Sequence, residues 1–72
     1  MAYMRKLDAF LEFLANGEWH TISEMSEFLK LREEKVMMIA EFFSDYEFVQ
    51  LDKAGKKVKI EKEMMDFLQK FR

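Results

Sequence analysis

Hydrophobic and polar positions recur along this chain with two different periods, and the places where the period changes separate helix from strand. Between Tyr3 and Ala15, a turn of about 100° per residue puts Tyr3, Met4, Leu7, Phe10, Leu11 and Leu14 on one arc, with Arg5, Asp8 and Glu12 mostly opposite. This spacing predicts a first helix. Asn16 and Gly17 end it, because glycine enters the left-handed conformation that closes a helix without a steric penalty. The next five residues, "EWHTI", alternate apolar and polar and predict a short strand or extended link. Trp19 is expected there as a core or core-edge aromatic packed under a later hairpin.

Ser23 is suited to cap a second helix running to about Lys30, with Met25, Phe28 and Leu29 at three- and four-residue spacing. Leu31 and Arg32 make a tight turn. In "EEKVMMIAEFFSDYEF" the spacing predicts a third and longer helix, with Val36, Ile39, Ala40, Phe43 and Tyr46 on its inner face and Phe42 at the margin. After Tyr46 the period falls to two. Val49 and Leu51 point one way and Gln50 and Asp52 the other, "KAGK" turns the chain with Gly55 at positive φ, and Val58 and Ile60 rejoin the inner face. Lys57 and Lys59 then face water. A last short helix carries Met64, Phe67, Leu68 and Phe71 at i, i+3, i+4 and i+7, with Met65 off the stripe.

Composition narrows the class. The 72 residues hold one domain, residues 1–72, with a modest core and little room for a large active-site cavity. Half are apolar and 15% aromatic, which excludes a disordered chain. The absence of cysteine removes disulfides, thiolate metal sites and thiol redox chemistry, and fits a cytoplasmic protein. The apolar run "VMMIA" is far short of the ~20 residues that span a bilayer, so no membrane is expected. Asp8 and Glu12 interrupt the first segment before signal-peptide length, so it reads as mature structure. Abundant Lys and Glu beside one Asn and two Gln resemble the balance of proteins from hot environments.

Charge singles out one stretch. The chain carries a formal −2, yet "LDKAGKKVKI", residues 51 to 60, holds four of its twelve Lys and Arg residues. Residues 51 to 62 have five lysines against Asp52 and Glu61, whereas residues 1 to 50 have five basic against ten acidic side chains. Lysines on a hairpin also serve as protection against edge-to-edge pairing.

The order of helix, short strand, helix, turn, helix and two-stranded hairpin, carried by "LANGEWHTISEMSEFLKLREEKVMMIAEFF" and "YEFVQLDKAGKKVKI", resembles the winged helix-turn-helix family. The resemblance implies an α+β, mostly α fold: a three-helix core with a short strand and a β-hairpin wing, plus a short C-terminal helix. It also implies duplex DNA as partner, in a transcription-associated role, with the third helix entering the major groove and the wing touching phosphate. Lys53, Lys56, Lys57 and Lys59 would then contact phosphate, with Lys30, Arg32 and Lys35 near the start of the reading helix. The outward arc of that helix departs from a DNA-reading pattern. It carries Glu34, Met37, Met38, Glu41, Ser44 and Asp45, with no Asn, Gln or Arg placed centrally for base edges, and Arg32 stands where a capping side chain is usual. Low sequence specificity follows.

The same arc supports an alternative, a protein-docking face of Glu34, Met37, Met38 and Glu41, since adaptable methionines suit partner surfaces. The stripe of Met64, Phe67, Leu68 and Phe71 packs either on the first helix or against a second copy, leaving monomer and homodimer open. Catalysis and cofactors have no support. His20 is the sole histidine, no cysteine or second histidine accompanies it as a metal ligand, and Glu33/Glu34 and Glu61/Glu63 read as responses to helix dipoles.

Overall fold

A computed structural model describes residues 2–70, with side chains described from Arg5 onward. Seven elements follow in order: α1 (Ala2–Phe13), β1 (His20–Thr21), α2 (Ile22–Leu29), α3 (Glu33–Asp45), β2 (Val49–Asp52), β3 (Lys57–Ile60) and α4 (Lys62–Lys70). The fold is α+β and mostly helical, with four helices and one small antiparallel sheet of strand order β1-β3-β2. Tyr3, Met4 and Phe71, which the periodicity put on apolar stripes, lie outside the residues whose side chains are described.

The apolar stripes converge on one core. Phe10 and Leu14 of α1, Ile22, Met25 and Leu29 of α2, Val36, Ala40 and Phe43 of α3, and Val49, Val58 and Ile60 of the sheet are all buried, with no buried polar or charged residue among them. Each large side chain so buried stabilises the fold by about 1.5–3 kcal/mol relative to exposure. The Phe10 and Phe43 rings, 5.4 Å apart, join the first and third helices at the centre. Lys6 ties α1 to α2 from outside, its Nζ donating to the carbonyl of Leu29, where a cation also complements the helix C-terminus.

Three helix ends depart from the expected chemistry. Thr21, not Ser23, caps α2: its hydroxyl accepts from the Glu24 N–H at 3.0 Å, and the Glu24 carboxylate accepts from the Thr21 N–H at 2.8 Å. This capping box needs an acid three residues after the cap, which Thr21 has and Ser23 lacks; it contributes about 1 kcal/mol. Ser23 lies exposed inside the helix. Lys30 and Glu47, at φ 56° and 60°, follow α2 and α3 in the left-handed conformation usually taken by glycine. In both places the next amide reaches back five residues, Leu31 N–H to the Ser26 carbonyl and Phe48 N–H to the Phe43 carbonyl, so the closing hydrogen bonds offset the steric cost. Gly17, at φ 80°, takes the role foreseen for it after α1.

The hairpin register follows from burial. Val49 pairs with Ile60 and Leu51 with Val58 on the inner face, while Gln50 pairs with Lys59 and Asp52 with Lys57 on the outer one. A one-residue slip would turn Val58 and Ile60 into water. At the turn, positive φ falls on Lys56 rather than Gly55. Gly55 is required for space instead. Its N–H donates to Asp52 Oδ1 at 2.9 Å, and an added Cβ would stand 2.6 Å from Asp52 Oδ2.

Tyr46 does not join the core. The helix stops one residue before it, and its ring lies 61% exposed against Phe42 and Phe48. In α4, Met64 and Leu68 pack on the core as their stripe implies, and Met65 joins them beside Gly17, while Phe67 turns outward.

Candidate nucleic-acid interface

The outer face of the sheet is set by simple alternation. Val58 and Ile60 point inward, so Lys57 and Lys59 point out. Strand β1 pairs His20 with Val58 and Thr21 with Lys57, which puts Thr21, and by the same alternation Trp19, on the outer face with the two lysines. Trp19 is accordingly 42% exposed rather than packed under the hairpin. The Lys57 and Lys59 ammonium groups stand 5.5 and 5.9 Å from its ring centroid. Each such exposed cation–π contact contributes about 0.5–1 kcal/mol and holds the ring against the strand.

His20 points the other way. Its ring lies 4.7 Å from that of Phe13, and its two nitrogens face Asn16 Oδ1 at 2.9 Å and Glu24 Oε1 at 3.4 Å. The imidazole thus orders the loop before β1 and the start of α2. Among the described residues no group of three His, Asp or Glu side chains is placed to hold a metal ion.

The seven basic residues named from the sequence separate into three groups. Lys57 and Lys59 flank Trp19, and Lys56 sits at the turn beside them, its carbonyl accepting from the Ile22 N–H at the start of α2. Among the described residues, none of these three forms an ion pair. Lys53 is drawn to the third helix instead, its Nζ 3.0 Å from Glu41 Oε2. Lys30, Arg32 and Lys35 form the third group. Lys30 terminates α2 at the end opposite Lys56, about 12 Å along an eight-residue helix, and Arg32 leans toward Glu34 at 3.8 Å. The turn between α2 and α3 and the hairpin are therefore held at the two ends of α2, with only the hairpin gathering unpaired lysines around an aromatic ring.

On α3 the named docking face is also rearranged. Met37 packs partly against the core and Glu41 is engaged by Lys53, so the two methionines are not exposed as a pair. Met38, Phe42 and Tyr46, spaced four apart, are each more than half exposed. Met38 and Phe42 share a shallow apolar groove with Leu7 and Ile39, and Tyr46 continues toward Phe48, Met64 and Phe67. The Phe42–Tyr46 spacing was read as marginal and core positions, which hid this stripe.

Comparison with protein-family models, curated proteins and solved structures finds no match to this chain. No helix among the described residues is long and apolar enough to cross a membrane.

Proposed function

We propose that the chain is a small winged helix-turn-helix module that binds duplex DNA through its wing with low sequence specificity, in a transcription-associated role. The observation that supports it is the hairpin, where Lys57 and Lys59 on the outer face and Lys56 at the turn stand without a carboxylate partner among the described residues on a chain of formal charge −2. Positive charge kept free and local against a negative background suits phosphate contact, which is sequence-independent. The strand order, with β1 completing the hairpin into a three-stranded sheet behind α2 and α3, is compatible with that family.

The ion pairs also change the expected energetics. Lys53 and Arg32 must leave Glu41 and Glu34 to reach phosphate, at a cost of up to about 1 kcal/mol each for such exposed pairs. Lys56, Lys57 and Lys59, which have no carboxylate partner to leave, then carry the binding, and log Kobs against log salt should fall with a slope of about −3. Anisotropy of a labelled 20-base-pair duplex, titrated across salt with heparin as competitor, measures this. No binding at low salt, or a flat salt dependence, removes the reading.

A second reading, docking to a protein, is favoured by the exposed Met38, Phe42 and Tyr46. Glu34 and Asp45 lie along the same helix, so a segment with a basic rim and an apolar face suits it better than a second copy, whose own acids would meet them.

A further inference from the structure

We propose that Trp19 is a stacking platform for one unpaired nucleobase, so that the chain prefers nucleic acid with a single-stranded overhang to the same duplex with blunt ends. The inference rests on the nucleic-acid reading above and adds a ligand class to it.

Trp19 is the chain's one tryptophan, and it lies on the outer face of the sheet instead of in the core. No hydrogen bond recorded for the described residues involves its indole N–H. What holds the ring is its position in the sheet, opposite the outward lysines of β3, with an ammonium group 5.5 Å away on one strand position and another 5.9 Å away two residues on. Single-stranded nucleic acids are bound where an aromatic face meets a base and nearby cations meet the flanking phosphates. Both ammonium groups lie over the ring, so a base stacks on it as the two lysines swing from the indole to the flanking phosphates. A base inside a duplex has both faces covered and a terminal pair exposes one, so an unpaired base, free to turn and to carry its own flanking phosphates, fits this ring best. Gln50, opposite Lys59 in the register, adds an amide at the margin of the same face. The β1 strand is only two residues long, yet it is fixed at both ends, by the His20 contacts to Asn16 and Glu24 and by the capping box at Thr21. The platform is therefore built before any ligand arrives.

The experiment compares three probes with the full chain: a 20-base-pair blunt duplex, the same duplex carrying a ten-nucleotide oligo(dT) overhang, and free oligo(dT). Because the chain has a single tryptophan, fluorescence excited to the red of tyrosine absorption reports on this site alone. The overhang duplex is expected to bind about 5- to 100-fold tighter than the blunt one, and oligo(dT) and the overhang duplex to quench the fluorescence more strongly than the blunt duplex, which only draws the lysines from the ring. Trp19→Ala brings the ratio of the two duplex affinities to about one, and Trp19→Phe, which keeps a ring, retains part of the preference. Should Trp19→Ala fail to fold, quenching in the unmodified chain and the Phe variant decide. Equal affinity for both duplexes with equal quenching overturns the platform while leaving duplex binding standing. Failure of all three probes to bind overturns both.

Discussion

Replacing Lys57 and Lys59 together by Glu is expected to weaken duplex binding at least about 100-fold at moderate salt and to leave the chain folded. Two of three unpaired cations on the outer face would become anions, so two counterion-releasing contacts are lost and two phosphate repulsions gained. The salt dependence should flatten correspondingly. The stability cost is moderate, with about 1–2 kcal/mol of it from the two lost cation–π contacts to Trp19. A carboxylate at position 57 would stand opposite Asp52 in the register, and like charges across a strand pair cost about 0.2–1 kcal/mol. Lys57→Gln with Lys59→Gln removes charge without that repulsion and should lower affinity less, in the same direction. Thermal melts of both variants establish that the fold persists. Binding that survives the double reversal would mean that the wing is not the contact surface, whatever else the chain binds.

The largest effect on stability is expected at Phe10→Ala. Its ring is fully buried against Phe43, linking α1 to α3 beneath the sheet. Truncating a buried Phe costs about 3–5 kcal/mol, from lost transfer energy and the cavity left behind. A domain of this size holds about 4–11 kcal/mol in all. The variant should therefore lose from about a quarter of its stability to all of it, with a melting temperature lower by about 12–40 °C. Urea denaturation followed by circular dichroism measures it. A shift of under about 5 °C would mean that α1 is not part of the same cooperative core.

What could be read from the sequence was whatever burial dictates over several residues. The core positions of α1 and α3 recur at helical spacing over about two turns each, Leu7 to Leu14 and Val36 to Phe43, and the two hairpin strands bury the same alternate positions, so helices, hairpin and register were legible. Local chemistry was harder. Thr21 and Ser23 are both capable caps, and only the reciprocal bond to Glu24 distinguishes them. Gly55 looked like the residue at positive φ, but the turn places that strain on Lys56 and uses Gly55 to admit the Asp52 carboxylate.

The candidate site was legible as a lysine cluster and illegible as an arrangement. A two-residue strand is too short for periodicity to give its phase, so the outward turn of Trp19 went unread. One signal was available. Ile22 begins α2 as a core residue, and counting back by twos from it pairs His20 with the inner face and Trp19 with Thr21 on the outer one. The Lys53–Glu41 pair joins residues twelve apart across two elements, and no local pattern announces it. The exposed stripe of Met38, Phe42 and Tyr46 was missed because Tyr46 was counted as a continuing helical turn, whereas the helix ends at Asp45.

Mapping by amide chemical-shift perturbation tests the central claim most directly, because it reports where on the chain a duplex lands. In a titration of isotope-labelled protein with the overhang duplex, shifts should concentrate at residues 19–21 and 56–59, with the Trp19 indole resonance among the largest. Shifts concentrated instead on Met38, Phe42 and Tyr46, or none on the hairpin at saturating duplex, would contradict it.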